Sequence, residues 1–189
     1  MDERIKAVVF NEAEHSYWYQ GKQLHGVTGA IGKLMGKSFP DTDTVRIATM
    51  YGHDVHKDSE MWIKEKRIPS TESGKWIVSY LEELKETKGA EFFEAELLVS
   101  DFIGTASCID IVAFMPDNEA ILFDIKTTSA FDREYCSLQL SVYKRLFEEV
   151  YGRTVAGMFV LGTKSRRAFR IIEKPSVKVD KILDMNKAM

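Results

Sequence analysis

The sequence predicts an α/β fold, a central mixed β-sheet flanked by helices and preceded by an N-terminal β-hairpin. Three observations carry this. Apolar residues recur at helical spacing over 44–66, 72–88 and 133–151, whereas 92–99, 106–115, 120–125, 155–162 and 168–172 are short runs rich in β-branched and aromatic residues. The order of helices, three strands, a helix and two strands brings parallel and antiparallel neighbours into one sheet. With 189 residues, 44% hydrophobic and 29% charged, the chain is sized for a single compact domain, 1–189.

Each element has a local cause. Residues 5–24 read as a strand, a turn at Asn11 to Glu14, a second strand from His15 to Tyr19 and a Gln20-Gly21 turn. Thr28 can cap a short helix that ends at Leu34, after which Gly36, Pro40 and Asp41-Thr42-Asp43 break the chain and offer a new cap. The helix over 44–66 places Val45, Ala48, Met50, Tyr51, Val55, Met61 and Trp62 roughly at helical spacing, with Gly52 its one poor helix former. Pro69 and Ser70 end it, and a second amphipathic helix runs over 72–88 to Gly89. The turns at 100–104 and Pro116-Asp117-Asn118 divide the next three strands into an antiparallel meander. The helix over 133–151 stops at Gly152, two strands then flank a basic turn, and a last helix over 177–189 begins near Ser176. The three tryptophans, Trp18, Trp62 and Trp76, read as packing residues.

Bulk properties narrow the function. The longest apolar stretches, such as Ala7-Val8-Val9-Phe10, are too short for a membrane span or a signal-peptide core, so a cytoplasmic protein is expected. Cys108 and Cys136 lack the paired spacing of zinc ribbons and iron–sulfur clusters and read as reduced, structural thiols. A net charge of −3 argues against non-specific coating of nucleic acid. It leaves room for a metal-assisted phosphodiesterase, because two bound divalent cations add about four positive charges locally.

The chemistry-bearing residues lie in the meander. Asp110 is embedded in the apolar run Cys108-Ile-Asp110-Ile-Val-Ala-Phe, where an unpaired carboxylate carries a desolvation penalty of several kcal/mol. On the next strand, Phe123-Asp124-Ile125-Lys126 puts Asp124 and Lys126 on one side and Phe123 and Ile125 on the other. Two such carboxylates on adjacent strands, about 4 Å apart, repel by on the order of 4 kcal/mol at an effective dielectric near 20. A hard divalent cation with oxygen ligands reverses that sign. Two acids and a lysine are the parts that phosphodiester hydrolysis requires, the acids to hold Mg²⁺ or Mn²⁺ and the lysine to orient water or stabilise developing charge.

Asp110 followed by Asp124-Ile125-Lys126 resembles the signature of the PD-(D/E)XK nuclease superfamily, within it the RecB-like and the lambda- and RecE-type exonucleases, including small phage-encoded members. Three further segments share the likeness. Gly52-His53-Asp54-Val55-His56 resembles a Gly-x-x-x-His segment whose histidine is a metal ligand, and Gln139-Leu-Ser-Val-Tyr143 resembles the Gln-x-x-x-Tyr motif bordering the site. The stretch from His15-Ser-Tyr17 to Gly26-Val-Thr28 resembles the lead-in of small phage-type members, so the likeness covers roughly residues 10–163. Two positions depart from the commonest pattern: Ile109 stands where proline is frequent, and the middle acid is Asp124 in place of glutamate.

The resemblance implies a restriction-endonuclease-like core binding one or two Mg²⁺ or Mn²⁺ ions through His56, Asp110, Asp124 and the backbone carbonyl of Ile125, with Glu96 as an accessory acid. Catalytic roles would fall to Asp110, Asp124, Lys126, Gln139 and Tyr143, and no iron–sulfur cluster is expected. The implied substrate is DNA, as double-stranded ends or single strands, in phage or bacterial recombination or repair in the cytoplasm. A homo-oligomer and a single-strand annealing or recombination protein are the implied partners, and no membrane. The same pattern is compatible with an RNA nuclease or with a catalytically inactive nucleic-acid-binding module of the same fold. His53 competes with His56 as ligand. Lys164-Ser165-Arg166-Arg167 reads as a solvated turn or a phosphate-contacting loop, and Lys33, Lys37, Lys57 and Lys64 are similar candidates.

Overall fold

The computed structural model describes residues 1–11, 14, 16–37 and 42–189, with Thr44 described by its backbone alone. Glu12 and Ala13 of the expected turn, His15 of the expected second strand, and Pro40 and Asp41 of the expected chain break lie outside the described residues. The N-terminus departs from the expected single hairpin in two ways. Residues Glu3–Ala7 form a 3-10 turn instead of strand, closed by the Asp2 carboxylate accepting from the Arg4 backbone N–H at 3.0 Å. After β1 (Val8–Asn11) and β2 (Ser16–Tyr19), Gln20 and Gly21 take left-handed φ of 49° and 79° and reverse the chain into β3 (Lys22–Leu24). The result is a three-stranded antiparallel sheet.

Helix α1 (Val27–Leu34) starts after Gly26, which supplies no side-chain cap, so Thr28 lies inside the helix and does not cap it. Helix α2 (Asp43–Glu65) is capped by Thr42, whose hydroxyl accepts from the Val45 N–H at 3.3 Å. Helix α3 (Glu72–Lys88) is capped by Thr71 and ends at left-handed Gly89. The Asp58 carboxylate accepts from the backbone N–H and hydroxyl groups of both Ser70 and Thr71, at 2.7 to 3.0 Å, which fastens the start of α3 to α2.

The meander follows as β4 (Phe92–Ser100), β5 (Ala106–Phe114) and β6 (Glu119–Lys126). Helix α4 (Arg133–Tyr151) carries the chain back so that β7 (Thr154–Gly162) pairs parallel to β6, and β8 (Arg167–Arg170) returns antiparallel before α5 (Ser176–Lys187). The sheet is therefore mixed, five-stranded and ordered β4-β5-β6-β7-β8. One face packs on α4, α1 and α5 through residues such as Val112, Leu122, Leu146 and Phe147. The other packs on α2 and α3 through Val55, Ile77, Leu81, Ile111, Phe123 and Ile125. The N-terminal sheet makes a third core against Leu98, Ala106 and Cys108, at the far end of β4 and β5.

Helix α2 is anchored from Tyr51 to Ile63, and its described residues before Tyr51 are largely exposed. Val55 is fully buried, whereas Ile47 and Met50 are each 68% exposed, so helical spacing overstated how much of this helix is packed. The tryptophans are likewise less central than expected: Trp62 and Trp76 are half-buried at the margin of the α2–α3 core, and Trp18 is exposed. Among the described residues, no helix is long and apolar enough to cross a membrane.

Candidate active site

The site begins where β5 and β6 part. Their ladder runs from Phe114↔Ala120 to Ile111↔Phe123 and stops there, so Asp110 and Asp124 are not ladder partners. The Asp110 carboxylate takes over the lost pairing and accepts from the Ile125 backbone N–H at 2.6 Å. On the opposite edge of β6, the Lys126 carbonyl accepts from the N–H of Thr163, just after β7, at 3.0 Å. Carbonyl directions alternate along a strand, so the Ile125 carbonyl faces the gap beside Asp110.

Glu96, on β4 across β5 from that gap, has unusual backbone geometry. It lies between the pairs Ala95↔Ile111 and Leu97↔Ile109, opposite Asp110, yet it is absent from the ladder and has φ of 51°. A left-handed non-glycine residue inside a strand costs on the order of 1–3 kcal/mol and turns its side chain out of the regular alternation. The cores record the same break. Ile109 and Val112 belong to the α4 face and Ile111 to the α2–α3 face, so the alternation changes phase at Asp110. Glu96 and Asp110 thus fall out of the regular alternation at opposed positions of β4 and β5.

Helix α2 supplies the third group. His56 Nδ1 lies 3.7 Å from both Glu96 Oε1 and Asp110 Oδ1. One possible ligand atom from each of His56, Glu96 and Asp110 falls within 4.8 Å of the others, the one such group found among the described residues. Val55, fully buried, fixes the helix rotation that presents His56. Gly52, one turn earlier, allows the close approach, since a Cβ there would sit 3.3 Å from the Thr127 hydroxyl just after β6. His53 is exposed and outside the group.

Lys126 and Asp124 form the other half. Lys126 Nζ lies 2.7 Å from Asp124 Oδ2 and donates to Oδ1 at 2.9 Å, with Asp124 only 1% exposed. Despite the short ionic contact, Oδ2 is buried with no hydrogen-bond donor in good geometry. Burial drives the carboxyls of Asp110 and Asp124 up from the ordinary range. For Asp110, His56 opposes this rise and Glu96 reinforces it; for Asp124, Lys126 opposes it and Asp110 reinforces it. Burial pulls the His56 imidazolium down, but the carboxylates of Asp110 and Glu96 outweigh it and bring the pKa to about 9. Lys126 is raised in the same way, burial being overcome by Asp124 and Asp110.

Gln139 and Tyr143 share one face of α4, with Gln139 Nε2 donating to the Tyr143 hydroxyl at 3.1 Å. Both are buried, at 4% and 3% exposure, instead of bordering an open path as the motif suggested. The Tyr143 hydroxyl also meets Ser107 Oγ of β5 at 3.1 Å, and the Gln139 side-chain oxygen Oε1 has no hydrogen-bond partner. Ser107 was not singled out in the sequence, where it looks like an ordinary strand serine. Cys108 and Cys136 are free thiols, Cys136 buried, and burial pushes each thiol up to about 12.

The donor set fits a hard divalent cation. It combines the His56 imidazole with the carboxylate oxygens of Glu96 and Asp110, beside the Ile125 carbonyl that faces the same gap. With several acids in a small buried volume, His56 and Lys126 now supply the positive charge, and a cation bound there would release the His56 proton.

No protein-family model and no curated protein sequence matches the chain. Among solved structures, it is similar to a candidate exonuclease from Eubacterium rectale, with 12% identity over 87% of this chain and 77% of that one, at a TM-score of 0.43. It is also similar to the protein SSO0001, with 14% identity over 86% and 84% of the two chains, at a TM-score of 0.36. Both likenesses are too distant to assign a function, which rests on the site itself.

Proposed function

We propose that the chain is a Mg²⁺- or Mn²⁺-dependent phosphodiesterase acting on DNA, an exonuclease of the PD-(D/E)XK type. The observation that carries this is the meeting of His56, Glu96 and Asp110 at the point where β5 and β6 part, beside the buried Asp124–Lys126 pair. His56, Asp110, Asp124 and the Ile125 carbonyl are the ligands in this reading, with Glu96 beside them. These residues would hold a divalent cation, which would supply an acidified water and charge withdrawal from a phosphoryl oxygen.

The protein's own groups do the positioning. Asp110 holds the Ile125 N–H and so fixes the carbonyl on the same edge of β6. Asp124 anchors the Lys126 ammonium, which is partly exposed and can orient a water or neutralise charge on a phosphate oxygen. Gln139 and Tyr143, both buried, act as positioning residues behind β5. The preference for DNA ends, the role in phage or bacterial recombination or repair, a homo-oligomer and an annealing partner all follow from the motif likeness and belong to the same proposal.

The deciding assay incubates the protein and Mg²⁺ or Mn²⁺ with linear duplex DNA, closed circular DNA, single strands and RNA. Linear DNA should be degraded and closed circles spared. Asp124→Ala and Lys126→Ala should each lose at least about 10³-fold in rate, equivalent to about 4 kcal/mol of transition-state stabilisation. Parental rates in both variants would show that the reaction occurs elsewhere, and degradation of RNA alone would change the substrate.

A further inference from the structure

We propose that a cationic rim at the C-terminal ends of β6 and β7 and the start of β8, formed by Arg133, Lys164, Arg166 and Arg167, seats the nucleic-acid backbone on both sides of the scissile phosphate. This rests on the phosphodiesterase reading above and names the surface that holds its substrate.

Strand register builds the rim around Lys126. Lys126 pairs with Gly162 and Gly162 with Arg167, so the three stand in one row across β6, β7 and β8. Cross-strand partners share a face, which sets Arg167 on the side of Lys126, two strand spacings or about 10 Å away. One row down, Asp124, Val160 and Phe169 confirm the face, since Val160 and Phe169 both pack toward α4. Arg133 arrives on that same side from the start of α4, with its guanidinium 5.5 Å from the Phe169 ring.

The tight turn after β7 sends the other two cations across the sheet. The Arg166 N–H donates to the Thr163 carbonyl at 3.3 Å and the Ser165 hydroxyl to the Gly162 carbonyl at 3.0 Å. Lys164 then lies 5.1 Å over the Tyr51 ring of α2, one turn before His56, and Arg166 reaches within 3.9 Å of Glu72 at the start of α3. All four side chains belong to exposed residues.

Three of the four rival lysines are ion-paired elsewhere, and Lys33 donates to Met189 Sδ at 2.8 Å. Lys57 and Lys64 both pair with Glu60, at 3.0 and 2.8 Å, and Lys37 pairs with Asp132. The arrangement is a buried acidic site with cations on either side in a chain of net charge −3. That charge pattern suits a strand of phosphodiesters threading past a metal, because flanking phosphates need cations where the metal does not reach.

The test measures binding of a short fluorescein-labelled duplex DNA by anisotropy across a salt series, with Ca²⁺ in place of Mg²⁺. Lys164→Ala with Arg167→Ala removes one cation from each flank; Lys85→Ala with Lys88→Ala, at the distant end of α3, makes the same charge change. The rim variant should bind more weakly, with a log–log salt slope shallower by about 2, while the control keeps the parental slope. Retention of the parental melting temperature and Mn²⁺-induced shift in the rim variant shows that the fold and metal site are intact. A rim variant with parental affinity and slope overturns the proposal, as does an equal loss in the control. Parental protein that cleaves DNA while the rim variant binds normally sinks the rim alone. Rim-dependent binding without any cleavage sinks the catalytic reading and leaves the rim standing.

Discussion

Two stretches of the same strand pair behave in opposite ways. From Ile111 to Phe114, β5 is laddered to β6, buried on both faces and wholly apolar. One residue further, at Asp110, the ladder ends, the alternation of faces changes phase and buried acids gather. The first stretch spends its residues on packing; the second keeps desolvated charges that a stability-driven sheet would discard. The contrast locates function: the regular half holds the irregular half in a geometry it would not adopt alone.

The largest effect should come from breaking the regular half. Phe123 is fully buried, stacked on Phe159 at 5.8 Å and edge-on to Tyr80 at 6.0 Å. Phe123→Ala should cost about 3–5 kcal/mol in denaturant unfolding. The folded protein should still respond to Mn²⁺, and a loss below about 1 kcal/mol would mean that this half is not the support it is taken for.

A smaller change of opposite sign should follow in the irregular half. Glu96 has φ of 51° and faces Asp110, so Glu96→Gly relieves backbone strain and carboxylate repulsion, which together outweigh the lost 3.7 Å contact with His56. Unfolding free energy should rise by about 1 kcal/mol, whereas Ala95→Gly, one residue earlier in ordinary strand, should lower it by a similar amount. Equal losses at the two positions would remove the case for a strained Glu96.

The legible parts of the fold were those with local chemical punctuation. Helices α3 and α4 begin and end where the sequence predicts, because Thr71 and Gly89, and Asp132 and Gly152, terminate them by capping. Asp110, Asp124 and Lys126 stood out because charges in apolar strands need a reason, and the mixed sheet was legible because a helix separates three strands from two. Glu96 was visible only as an accessory acid. Its position depends on a left-handed backbone and a phase change that strict period-two alternation cannot represent. The third N-terminal strand, Lys22–Leu24, was too short to show a period, and Thr28 was read as a cap although Gly26 precedes the helix. Gln139 and Tyr143 were found as a pair, but their burial depends on β5 and Ser107, which no spacing along α4 reveals.

The most direct test of the central claim is the thermodynamic response of the folded protein to Mn²⁺, compared between the parent and Asp110→Asn. Asparagine keeps an acceptor for the Ile125 N–H and removes the charge that would bind metal. At Mn²⁺ about 100-fold above the dissociation constant, the parent should gain about 2.7 kcal/mol of unfolding free energy. Asp110→Asn should be at least as stable as the parent without metal and gain nothing with it. An equal Mn²⁺ stabilisation in the two proteins would contradict a metal site at Asp110.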